Sequence, residues 1–204
     1  MGRVSDAKER LIAAVGDLLW QGSYGSTTVD DICKRAGVKK GTFYYFFDSK
    51  PDLALAAIES GWLQKRQELD AIFSSTVPPL ERFRKYCEYT YRLQEEMQAK
   101  CGLVLGCPLF SLATEVSTLE HPLQMKIQQI LDQKHKYFET AIRDAHAAGL
   151  IQAPDAEAKA KVLFAYYHGL ITEARIRNSL SLLKDAEHGT YELLGVKEPE
   201  LSPS

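Results

Sequence analysis

Between positions 28 and 45 the chain gathers side chains suited to a phosphate backbone and to base edges. Lys39 and Lys40 can reach a phosphate or a guanine edge, Thr42 a base or a thymine methyl, and Tyr44 and Tyr45 phosphates or bases. Gly41 lets the backbone approach a ligand closely, and Thr28 can offer a hydroxyl or an amide. A second chemistry lies further on. Cys107 precedes Pro108 at an expected helix start, where exposed amides and the helix dipole favour a thiolate. Cys107, resolved by Cys101, could sense oxidants or electrophiles; a structural cap is the simpler reading, since cysteine is so often buried. Cys33 and Cys87 read as packing residues.

Two short helices must position the first group. Thr28 stands ahead of Val29, Ile32, Cys33 and Ala36, which form one apolar face, and Ala36-Gly37 makes the turn. Thr42 to Phe47 forms the next helix, with Phe43 and Phe47 as its core residues. This is the layout of a helix-turn-helix, whose second helix enters the major groove of DNA.

Around it the pattern predicts an all-α chain of about nine helices. Ser5 is expected to cap a first helix carrying Leu11, Ile12, Val15, Leu18 and Leu19, with Gly22 as its stop. Ser49-Lys50-Pro51-Asp52 restarts a long helix to about Phe73, and Ser74 to Pro79 breaks it. Helices are expected from about Pro79 to Lys100, Pro108 to Leu119, Pro122 to Ala148, Asp155 or Pro154 to Asn178, and Ser181 to Leu194. The domains then read as a head, 1–50 and its connecting helix to about 73, a body, 74–196, and a disordered tail, 197–204.

Composition agrees with a globular protein: 204 residues, 45% hydrophobic and 25% charged, with a net charge of -2 that excludes a uniformly basic coat. Residues 1–50 carry 8 Lys/Arg against 6 Asp/Glu, and the remainder 17 against 21, so the mild positive bias sits at the helix-turn-helix end. Four cysteines are too few for a disulfide scaffold, no apolar run suggests a leader or a membrane span, and a reducing cytoplasm is expected. His121, His135, His146, His168 and His188 form no ligand cluster, so no metal or other cofactor is expected. The absence of a Gly-rich phosphate loop, an HExxH motif and a G-x-S-x-G turn speaks against an enzyme.

Val38-Lys39-Lys40-Gly41-Thr42-Phe43-Tyr44-Tyr45-Phe46-Phe47-Asp48-Ser49-Lys50, with Thr27-Thr28-Val29 and Ile32-Cys33-Lys34-Arg35-Ala36-Gly37 before it, resembles the TetR family of one-component transcriptional regulators. The resemblance covers about residues 5–65 tightly and the body mainly in length and helical content. It implies an all-helical homodimer on a palindromic operator, usually a repressor, that a small molecule in the body releases. It also implies a phosphate contact for Lys50, while Phe46 stands where relatives often carry His or Tyr and offers no polar group. The Gly106-Cys107-Pro108-Leu109 opening resembles a subset of the family, in which some members respond to electrophiles.

The body must supply pairing and release. Lys161 to Ile176 is apolar around more than one face, so Leu163, Tyr166, Leu170 and Ala174 are expected at a dimer interface, the alternative being a helix buried within one monomer. Phe83, Tyr86, Tyr89, Tyr91, Phe110, Phe138, Tyr167 and His168 are candidate linings for an apolar or aromatic effector, although aromatics at helical spacing are most often core. A regulator controlled by a protein partner is the further alternative.

Overall fold

Apolar residues at three- and four-residue steps build ten helices in the computed structural model, which describes residues 2–116 and 121–196, the side chains of 2–5 excepted. Among the described residues there is no strand, and no helix is long and apolar enough to cross a membrane. The expected tail, 197–204, lies outside the described residues.

α1 (Gly2–Gln21) buries Leu11, Ala14, Val15 and Leu19. It begins ahead of Ser5, the expected cap, and ends at Gly22, whose N–H donates to the Leu18 carbonyl at 2.9 Å. α2 (Val29–Ala36) opens on a capping box: Thr28 Oγ1 accepts from the Asp31 N–H, and the Asp31 carboxylate accepts from the Thr28 N–H. It closes on Gly37 at φ 63°, a left-handed conformation that lets the Val38 N–H reach the Cys33 carbonyl. α3 (Lys40–Phe46) follows two residues later. α4 (Lys50–Ile72) starts at Ser49, whose Oγ accepts from the Asp52 N–H at 3.3 Å.

The remaining helices are α5 (Pro79–Cys101), α6 (Pro108–Val116), α7 (His121–Ala147), α8 (Ala156–Arg177), α9 (Ser181–Lys184) and α10 (Ala186–Leu194). The single helix expected over Ser181–Leu194 is two. Asp185 sits at φ -93°, ψ 4°, outside the helical range, and interrupts the ladder.

The chain divides into two compact units, Met1–Gln67 with Cys107–Leu131 and Glu68–Gly106 with Asp132–Ser204, so α4 and α7 contribute to both. This division differs from a boundary after residue 73, because α6 belongs with the N-terminal helices. Glu115 on α6 accepts from Ser23 Oγ at 2.7 Å and from the Gly25 N–H at 3.1 Å, tying α6 to the α1–α2 loop. The core of this first unit includes Leu11, Ile32, Phe43, Leu53, Leu123 and Ile127.

The second unit is built around aromatic rings. Phe138 lies within 5.0–5.9 Å, centroid to centroid, of Phe73, Phe83, Tyr86, Phe164 and Tyr167. At one side the buried Arg82 guanidinium donates to Asp144 at 2.6 Å and to the Val77 carbonyl at 2.8 Å, which satisfies a charge removed from water.

Candidate DNA-binding surface and aromatic core

α3 is short, and its orientation rests on two rings. Phe43 and Phe47 are buried, with centroids 6.2 Å apart, and this turns Tyr44 and Tyr45 outward at 54% and 73% exposure. Large aromatics left this open on a seven-residue helix are an available contact surface. Lys39, in extended conformation just before α3, is exposed. A cavity of about 570 Å³ runs between α1 and α3, lined by Ala7, Arg10, Lys39, Thr42, Tyr45 and Phe46 among others. Nothing lies within 4 Å of the point where a side chain on Gly41 would project, so the backbone there is open to an approaching partner.

Three of the eight sequence candidates have their polar groups engaged inside the head. Thr28 is held in the capping box, where its hydrogen bonds keep the Asp31 carboxyl below the ordinary carboxylate range. Lys40 pairs with Asp30 at 2.9 Å. Lys50 donates to the Tyr24 and Thr27 carbonyls at 2.9 and 3.0 Å, with its ammonium 4.2 Å over the Tyr24 ring. Its position therefore makes it a strap on the loop before α2. Arg10, which the sequence reading passed over, is a second strap: it donates to the Ala36 carbonyl at 2.9 Å and to the Gly37 carbonyl at 3.3 Å, fixing the turn. A lone arginine twenty-six residues before its partner leaves no periodic trace.

Of the effector candidates, Phe83, Tyr86, Phe138, Tyr167 and His168 are buried in the second unit, whereas Tyr89 and Tyr91 are half-buried. Phe110 is not among them: it is exposed on α6, in the first unit, because α6 packs with α1. A buried polar chain crosses the aromatic core. The Tyr167 hydroxyl lies 3.0 Å from Cys87 Sγ and 2.8 Å from Thr190 Oγ1, and the Thr190 hydroxyl donates to the Ala186 carbonyl at 2.6 Å. Burial pushes the Cys87 thiol up to about 11 and raises the Tyr167 phenol well above its usual value, so both stay neutral. The rings of His135, Phe164 and His168 lie in a row, tilted to one another, with centroids 3.9 and 4.4 Å between neighbours. Burial, with Lys134 and His135 nearby, drives His168 down to about 3.

The expected pairing residues on α8 separate into two groups. Leu163 and Ala174 are fully enclosed within the protomer and are core, a correction that follows from their spacing toward Tyr167 and Ile171 on the buried stripe. Tyr166 and Leu170 are half-buried, and beside them the same helix exposes Val162 (54%), Ala165, Gly169 and Ile176 (75%). That outward stripe holds the apolar residues the fold leaves uncovered on α8.

All four cysteines are free thiols. Cys107 is half-buried, and its carbonyl accepts from the Ser111 N–H at 3.0 Å, so it caps α6. Cys101 donates its thiol to the Met97 carbonyl at 3.1 Å. The unit division falls between Gly106 and Cys107. Among the described residues no group of three or more His, Cys, Asp or Glu could hold a metal ion.

A braced helix-turn-helix with outward tyrosines, on an all-helical chain whose second unit has an aromatic core, is the build of a DNA-binding transcriptional regulator. The chain belongs to the TetR family: residues 11–57 match the family described as "Bacterial regulatory proteins, tetR family" and residues 79–189 "Tetracyclin repressor-like, C-terminal domain". It is 31% identical over 172 residues to the transcriptional regulator AcuR of Cereibacter sphaeroides, covering 83% of this chain and 77% of AcuR. The crystal structure of a regulatory protein TetR from Rhodobacter sphaeroides matches with a TM-score of 0.77 at 29% identity, over 93% of this chain and 97% of that one. The repressor NemR of Escherichia coli is 25% identical over 89% of this chain and 90% of its own. Its crystal structure, described as the reduced form, has a TM-score of 0.78 at 21% identity, over 96% of this chain and all of that one.

Proposed function

We propose that this regulator is a repressor that binds a two-fold symmetric operator as a homodimer and leaves it when a small apolar or aromatic molecule enters the second unit. The observation that carries the reading is α3: Phe43 and Phe47 anchor it while Tyr44 and Tyr45 face outward beside Lys39. Lys39, Thr42, Tyr44 and Tyr45 make the DNA contacts, Gly41 clears the approach, and Thr28 and Lys50 hold the motif in shape. One α3 reads few bases. Pairing sets two of them about 34 Å apart, one DNA turn, and multiplies the specificity.

The outward stripe of α8, with Tyr166 and Leu170 at its margin, supports the pairing, since an apolar stripe of that length is costly to leave in water. The effector is held by Phe83, Tyr86, Phe138, Tyr167 and His168, with Tyr89 at the edge. It acts by binding the operator-incompetent form more tightly than the competent one. The four free thiols support a reducing cytoplasm as the place of action. Operator selection from random duplex DNA, with the mass of the protein measured in the same preparation, tests the reading. An enriched palindrome bound by a dimer is the expected result; a monomer, or no enriched sequence, overturns it.

A second reading makes the trigger a thiol. Cys107 caps α6, and the similarity to a repressor whose structure was solved in a reduced form favours redox control. Release by p-benzoquinone that disappears in Cys107→Ser would establish it. Release unchanged in that variant would remove it.

A further inference from the structure

Lys40 opens the recognition helix, yet its ammonium lies against both carboxylate oxygens of Asp30 on α2, at 2.9 and 3.2 Å. The pairing raises the Lys40 ammonium above its ordinary value, with the Tyr44 hydroxyl adding to the effect. Asp30 is exposed and takes no part in the capping box of α2, to which Asp31 belongs; beyond this pair it adds the weak favourable charge of a first-turn carboxylate at the helix N-terminus. Three other cations of the head are also engaged. Arg35 pairs with Asp17 at 3.0 Å, Arg10 with Asp6 at 3.3 Å, and Lys50 with two carbonyls. Among the described residues Lys39 is the cation at the entry of α3 that carries no ion pair.

Affinity for arbitrary DNA comes from cations that displace counterions from phosphates. A lysine already neutralised by a carboxylate displaces little, and the carboxylate itself repels the phosphates around it. An exposed ion pair is weak, however, so an acceptor held in fixed register, such as a guanine edge, can draw Lys40 away more readily than a phosphate met without fixed register. We infer that Asp30 is a specificity-determining residue: it withholds the Lys40 charge from DNA of arbitrary sequence and yields it to the operator. The inference rests on the assignment of α3 as the DNA-contacting helix.

The test compares the parent with Asp30→Asn, Lys40→Gln, Lys39→Gln and the Asp30→Asn/Lys40→Gln double variant, on the selected operator and on a scrambled duplex of equal length, across a series of salt concentrations. Asp30→Asn should tighten scrambled binding about three- to tenfold and steepen its salt dependence by about one unit of slope, with a smaller change on the operator. Lys39→Gln should flatten the scrambled slope by about one, Lys40→Gln should leave it unchanged, and the double variant should return to the parent slope. Equal flattening by Lys40→Gln and Lys39→Gln would overturn the inference, because Lys40 would then leave Asp30 for any phosphate. Equal tightening by Asp30→Asn on both duplexes would overturn it too. A parent that binds neither duplex overturns the DNA assignment itself, and this inference with it.

Discussion

Tyr166 on α8 lies over the bare backbone of Gly189 on α10: a methyl group placed on Gly189 would overlap the phenol Cζ and Oη. Tyr166 is half-buried at the margin of the stripe proposed for pairing, so a displacement of the ring alters that surface. Gly189→Ala is therefore expected to weaken the dimer more than the fold, costing the fold about 1–3 kcal/mol through overpacking. Sedimentation across protein concentration, alongside thermal unfolding, separates the two effects, and a variant with parental dimerisation would show that the Tyr166 position is immaterial to pairing.

Tyr44 and Tyr45 face solvent, and their loss leaves no cavity. Tyr44→Ala should lose roughly tenfold in operator affinity, about 1.4 kcal/mol, with thermal midpoint and dimer mass unchanged. Phe43→Ala, by contrast, should cost about 3–5 kcal/mol of stability, since that ring is fully buried. Parental operator binding by Tyr44→Ala would refute the assignment of α3.

Gln94 is buried and holds one residue by both of its main-chain groups: its Oε1 accepts from the Gly106 N–H at 2.9 Å and its Nε2 donates to the Gly106 carbonyl at 3.1 Å. Gln94→Leu would orphan both groups and should destabilise by roughly 2 kcal/mol or more. Gly106 has φ 73° and would meet the Arg175 side chain at 3.2 Å if it carried a Cβ, so Gly106→Ala should be destabilising as well. Urea unfolding measures both, and a Gln94→Leu midpoint equal to the parent's would contradict the buried amide pair.

His168, lowered to about 3, is neutral in the fold, while its unfolded counterpart takes up a proton near 6.5. Its contribution is thus complete above about pH 6.5 and lost as pH falls toward 3, by at most about 1.4 kcal/mol per pH unit. His135 is shifted the same way by burial. The thermal midpoint of the parent should fall more steeply below pH 6.5 than that of His168→Leu; parallel profiles would show that His168 does not carry this linkage.

The helix-turn-helix was legible because its determinants are local: a cap at Thr28, a left-handed turn at Gly37, and a ring spacing that puts Phe43 and Phe47 on one side. The division of α8 was not. Leu163 and Val162 are both apolar, and only the packing around Tyr167 decides that the first is core and the second exposed. The two hydrogen bonds of Lys50 were not legible for a related reason, since its partners are main-chain carbonyls 23 and 26 residues away, which have no side-chain identity to read. Gln94 did leave a trace: it continues the buried register of Phe83, Cys87 and Thr90, a polar residue on an apolar stripe.

The segment 102–106 is fastened by amides that address its main chain. Asn178, the left-handed residue ending α8, donates to the Gly102 carbonyl at 3.1 Å and accepts from the Val104 N–H at 2.8 Å, while Gln94 holds Gly106. Such a fastening makes no demand on Leu103, while Val104 and Leu105 are held by burial. Leu103, exposed there, can drift through evolution without loosening it, whereas Gln94, Gly106 and Asn178 must change together or stay. The stretch leading to Cys107 and α6 thus follows a path fixed by main-chain hydrogen bonds and by two buried side chains, with Leu103 as the position open to retuning.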